Sequence, residues 1–177
     1  MNTTAIPETH AQSAGMRWRL NQADSRAEFR VPHFWGLVTI KGHFNRLDGW
    51  LDIDENQPHR MELSIDVASL DTGNRVRDKH LRSAAFFDTE HHPEMHFRST
   101  SASDAEDGHL HVEGELEAAG NTVQLKLDPT LQQAGEELTI DVTTTLDQRK
   151  LRMTWNPLGM TKTPTTLTVH AHLRQER

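Results

Sequence analysis

Histidine is the residue type with most chemical potential here, since the 177-residue chain carries twelve. His109 and His111 are two apart, as are His170 and His172, and His91-His92 is followed by His96. Imidazoles at such spacings suit zinc or nickel. Isolated pairs on a solvent face are the simpler reading, so no metal is expected. A second feature is cationic: Arg75, Arg77, Lys79 and Arg82 fall within eight residues and lead into Phe86-Phe87. Such a cluster is either a helix face neutralised by Asp71 and Asp78, or a rim that holds an anionic head group over an apolar bore. The carboxylates Asp52, Asp54, Asp66, Glu113, Glu115 and Asp141 are spread over outward positions, where isolated acids are solvated. No nucleophile elbow, phosphate loop or His-Glu-x-x-His is present, and Cys and Tyr are both absent. No catalytic residue and no cofactor are therefore expected.

The elements that must position these groups are strands. Met61, Leu63, Ile65 and Val67 alternate with Glu62, Ser64 and Asp66. The same two-residue period runs through 110–116, 138–146 and 167–173. Side chains on a strand point to opposite faces at that period, so each segment reads as a half-buried antiparallel strand. Strands are predicted near 16–22, 26–34, 36–45, 47–55, 60–68, 94–103, 108–118, 121–130, 135–149 and 163–175, with turns at Asp48-Gly49 and Ala119-Gly120-Asn121. This number of strands makes an all-β sandwich or barrel. Residues 69–88 break the alternation, with Asn74 as N-cap and Val76/His80 and Arg77/Leu81 at helical spacing. His33 shares parity with Ala27, Phe29 and Val31 and is placed near the mouth, while Trp35, Trp50 and Trp155 are assigned to core or rim packing.

Charge and length narrow the function. A net charge of -7 repels phosphate backbones and argues against nucleic acid. Residues 1–15 are polar and lack a basic, then apolar, leader pattern, so they are expected to be disordered. No transmembrane segment is read, and the expected location is cytoplasmic. One domain, 16–177, remains. Homodimerisation is left open.

Ser69-Leu70-Asp71-Thr72-Gly73-Asn74, Arg77-Asp78, His80-Leu81-Arg82-Ser83, Phe86-Phe87-Asp88, His92-Pro93 and Phe97-Arg98-Ser99 resemble the signature of the YceI-like family of lipocalin-like, polyisoprenoid-binding proteins. Trp18, Phe29-Arg30-Val31, Gly42-His43-Phe44 and Gly114-Glu115-Leu116 resemble its flanking strands. Arg149-Lys150-Leu151-Arg152 departs from the family's Arg-x-x-Phe-Gly, as Leu116-Glu117-Ala118 does from its Leu-Thr-Ile. The resemblance implies an antiparallel lipocalin-like eight-stranded barrel with a short helical insertion near 74–88. It also implies non-catalytic binding, storage or transport of a long apolar chain lipid: a polyisoprenoid, an isoprenoid quinone or a fatty amide. The apolar lining is expected from Phe29, Val31, Ile40, Phe44, Ile65, Phe86, Phe87, Val112, Leu125, Ile140 and Val169, and the polar mouth from His33, Arg75, Arg77 and Arg82. The competing readings are a small hydrolase or isomerase using the same cavity, and a histidine-rich metal-binding stress protein.

Overall fold

In the computed structural model, residues 15–33, 37–54, 59–105, 108–147, 149–151 and 164–176 are described. Twelve strands are joined in one antiparallel sheet: β1 Met16–Leu20, β2 Arg26–His33, β3 Val38–Phe44, β4 Leu47–Ile53, β5 Arg60–Asp66, β6 Leu70–Asp71, β7 Glu94–Asp104, β8 Leu110–Ala118, β9 Asn121–Leu127, β10 Thr130–Ala134, β11 Glu137–Leu146 and β12 Thr165–Gln175. One helix, α1 Arg75–Arg82, lies among the described residues. The all-β antiparallel class therefore stands.

The ladder counts twelve segments where the sequence predicts ten strands: the two-residue β6, and β10, which follows a bend at Asp128-Pro129, are the additional ones. β1 and β2 follow one another along the same edge of β12, Trp18 to Leu20 against 173–175 and Arg26 to Arg30 against 166–170. The bend between them is a 3-10 turn that Asn21 caps. β9 and β10 likewise flank Asp128-Pro129, β9 pairing with β8 and β10 with β11. Proline supplies no amide hydrogen, which suits it to the corner rather than the ladder. The sheet is thereby carried round from β8 to β12 through a bent strand. No ladder joins β9 directly to β11 among the described residues, which leaves a seam.

Alternation in the sequence is reproduced as burial. Along β8, Leu110, Val112, Gly114, Leu116 and Ala118 are buried and the intervening residues exposed. The Ala119-Gly120 turn has φ of 47° and 69°, the left-handed pair a tight hairpin needs. The turn expected at Asp48-Gly49 is instead part of β4, and the connection from β3 falls at Asn45-Arg46. This strand position takes glycine because a Cβ at Gly49 would come within 2.7 Å of the Glu62 carbonyl on the neighbouring β5.

Two buried polar groups fix the irregular corner. Ser69 Oγ accepts from the amides of Asn45 (3.0 Å) and Arg46 (3.1 Å) while donating to the Asp66 carbonyl (2.5 Å). Asp78, 6% exposed, accepts from the Thr72 amide at 3.0 Å and the Thr72 hydroxyl at 2.5 Å. Asn74 caps α1 by accepting from the amides of Val76 and Arg77, as its sequence position suggests.

Candidate ligand-binding lumen

The inward faces enclose a cavity of about 100 Å³. Its wall is drawn from β1, β4, β5, β7, β8, β9, β11 and β12 and is almost wholly apolar. Period-two burial explains the wall: each strand contributes every second side chain to a space that water-facing residues surround. Gly114 is part of this construction. A Cβ there would stand 2.5 Å from both the Phe97 ring and the Arg98 carbonyl, so glycine lets Phe97 lie close over β8.

Ile65, Leu125, Ile140 and Val169, four of the expected lining residues, lie on this wall. The others lie off it. Phe29, Phe44, Phe87 and Phe86 form an aromatic stack beneath α1, with ring centroids 5.5, 6.1 and 5.0 Å apart in succession. They pack the core at the helix end. Val112 is 1% exposed within the core but off the cavity wall, Val31 packs against the core, and Ile40 is half-buried. Met61, Leu63, Met95, Phe97, Leu116, Leu127, Val142 and Leu167 also line the lumen, although they are not among the expected lining residues. Their strand parity carried the signal; which depth along each strand faces open space did not show in it.

The expected cationic mouth is arranged differently. Arg77 donates through Nε to Thr72 Oγ1 and through Nη2 to the Thr72 carbonyl, both at 2.8 Å. Arg82 donates to the Leu70 carbonyl, and its own carbonyl accepts from the Thr89 amide and hydroxyl. Arg75 is exposed on α1. None of the three lies on the lumen wall, so two of these guanidiniums brace the helix against β6. The His33 side chain, Trp35 and Trp155 lie outside the described residues. Trp50 alternates with the buried Gly49 and Leu51 and is half-buried on the outward side of β4, with the Arg17 guanidinium 4.8 Å from its ring centroid.

A second cavity, about 180 Å³ and more polar, occupies the seam between β9 and β11. Leu125 borders both cavities, and Gln124, Thr145, Asp147 and Lys150 supply the polar part of the second. Asp147 is held down to about 2 by hydrogen bonds from the Arg149 side chain and backbone. Several acids read from the sequence as isolated are paired: Asp52 with Arg17 at 2.6 Å, Asp66 with Arg46 at 2.6 Å, Glu113 with Lys126 at 2.6 Å, and Asp141 with His170. Strand register places these opposite charges side by side, which spacing along one strand cannot show.

Residues 18–174 match the YceI-like domain. The chain belongs to the YceI-like family. A UPF0312 protein of Pectobacterium carotovorum is 38% identical over 113 residues, covering 62% of this chain and 57% of that protein. A UPF0312 protein of Vibrio parahaemolyticus is 33% identical over 129 residues, 72% of this chain and 68% of that one. For the first of these relatives, the match spans little more than half of its length. Among solved structures, BcnA of Burkholderia cenocepacia superposes with a TM-score of 0.78 at 19% identity, covering 86% of this chain and 98% of that one. A polyisoprenoid binding domain from Saccharophagus degradans, implicated in plant cell wall breakdown, gives 0.74 at 15% identity, with 90% and 98% covered. At these identities the structural likeness shows the YceI-like fold. No helix among the described residues is long and apolar enough to cross a membrane.

Proposed function

We propose that this YceI-like protein binds the hydrocarbon chain of an isoprenoid-type lipid in its lumen, carrying or storing it without chemical change and without a cofactor. The apolar wall is the observation that carries the reading. The polyisoprenoid-binding description of one structural neighbour supports the ligand class. Burial of each methylene contributes about 0.8 kcal/mol, hence roughly 3–4 kcal/mol per five-carbon unit. Eight units would pass the practical limit of roughly 20 kcal/mol for non-covalent binding, so chain ordering and partial burial must offset much of that gain. Ligand cavities usually measure roughly 300–1,000 Å³. A lumen of about 100 Å³ must therefore widen, for which the flexible Met61 and Met95 are suited, or pass the chain into the seam at Leu125.

Replacing Leu125 by Trp fills the point shared by the two cavities, at a cost of about 1–3 kcal/mol in overpacking. Native mass spectrometry with organic extraction should find one prenyl chain per wild-type chain and much less in the variant. Equal occupancy in a cooperatively folded Leu125→Trp protein would refute binding in this lumen. Release of a chemically altered lipid would refute a purely carrying role.

A further inference from the structure

The outer face of β11 and β12 holds a second arrangement, unrelated to the lumen. Strand register puts Asp141 opposite His170 and Thr139 opposite His172. His170 Nδ1 faces the Asp141 carboxylate, and His172 Nδ1 lies 3.4 Å from Thr139 Oγ1. Both rings then turn their remaining nitrogens toward each other, with Nε2 to Nε2 at 3.1 Å. The backbone of His172 is clamped in this position: its amide donates to Ser25 Oγ at 3.0 Å, and its carbonyl accepts from the Asn21 amide at 2.7 Å.

Two nitrogen lone pairs that close repel unless an electrophile stands between them. One candidate is a shared proton, with one Nε2–H donating to the other ring. A metal ion is the other. Nitrogens bound at about 2.0–2.1 Å to one Zn²⁺, at bond angles between about 90° and 109°, stand roughly 2.8–3.4 Å apart. The observed separation is within that range. Asp141 accepts from Nδ1–H of His170, which leaves Nε2 as the free lone pair, the carboxylate–histidine–metal relation found in zinc sites. On metal entry the hydrogen of His172 sits on Nδ1, where Thr139 Oγ1 accepts it.

From this the geometry points to a two-histidine chelate for a borderline divalent cation, of which Zn²⁺ is the type and Ni²⁺ and Cu²⁺ share the chemistry. No group of three or more His, Cys, Asp or Glu converges on a point among the described residues, so water completes the coordination and exchange is fast. Arg26 stands beside His170 in register, but Glu28 holds its guanidinium at 3.1 Å and offsets that charge. The site lies on a histidine pair for which the sequence alone favoured no metal.

Titration of the chelator-treated full chain with Zn²⁺, followed by calorimetry, tests the inference. One Zn²⁺ per chain is expected to bind through this pair, with the heat abolished in His170→Gln/His172→Gln and affinity lowered about 10–100-fold in Asp141→Asn. His109→Gln/His111→Gln should titrate like the wild type. Thermal unfolding without metal checks that each variant is folded, and all four replaced histidines are on exposed or half-buried positions. Wild-type protein that takes up no stoichiometric Zn²⁺, or a double variant of unchanged affinity, would overturn the assignment. So would full wild-type affinity in Asp141→Asn, since the carboxylate would then not orient a ligand.

Discussion

At the scale of single residues, much of the ionisable chemistry lies in pairs set by local turns and register. His91 shows this simply. Its Nδ1 lies 2.9 Å from Asp88 Oδ1, and the hydrogen bond followed by the charge of that carboxylate raises its pKa above the ordinary histidine value. Asp88 itself sits at φ 49° and accepts from the amides of His91 and His92, so the turn and the ion pair are one unit. A raised folded-state pKa means that the pairing stabilises the native state fully below the unfolded value of about 6.5 and that this contribution fades as pH rises through the raised pKa. Because the ring is exposed, the effect on stability is small. Proton NMR should therefore find His91 titrating above the ordinary histidine value, and Asp88→Asn should return it toward about 6.5. A His91 titration that is insensitive to that replacement would show the pair is not formed in solution.

At the scale of elements, α1 is the exception within a sheet protein, and it is fastened by polar contacts rather than by a broad apolar face. Val76 is 82% exposed, whereas Asp78 is buried. Asp78, Arg77 and Thr72 form a closed set of hydrogen bonds that ties the helix to the strand before it, and Phe87 follows as an aromatic anchor on Phe44. Removing the carboxylate in Asp78→Ala strands the Thr72 amide and hydroxyl, at a cost of about 2–3 kcal/mol. Urea denaturation should show that loss as a lower midpoint with little change in slope. Binding of a prenyl alcohol by the variant should be retained where it remains folded, since none of these residues lies on the lumen wall. A selective loss of binding with unchanged stability would instead place α1 at the ligand.

At the scale of the whole molecule, the sheet turns round on itself through bent strands and keeps one weak line. β12 is bordered by β11 on one side and by β1 and β2 on the other, whereas β9 has β8 on one side and the seam on the other. Amides directed into the seam have no ladder partners among the described residues and should open at low free energy. Native-state hydrogen exchange should therefore be slowest in β8 and β12 and fast at alternate positions along Val123 to Leu127. If the lipid chain passes the seam at Leu125, its binding should slow exchange there more than at the helix end. Uniform protection along β9 in the ligand-free protein would mean that the barrel is fully laddered.

Taken alone, the sequence determined the strands, because a period of two in apolar residues has no other stable use and each face is chosen by burial. The Asn74 cap, the Ala119-Gly120 hairpin and the signature from Ser69 to Ser99 were equally local, since each depends on neighbours within a few residues. What only the tertiary structure decided was what those faces meet. Phe29 and Leu125 share inward parity, yet one packs an aromatic core beneath α1 and the other borders open space, because depth along the barrel depends on strand stagger. Arg77 and Arg82 carry the charge of a ligand rim but are spent on backbone carbonyls. His170 and His172 are two residues among twelve histidines until β11 supplies Asp141 and Thr139 across the ladder. Register between strands far apart in the chain sets these meetings, and no spacing along a single strand records it.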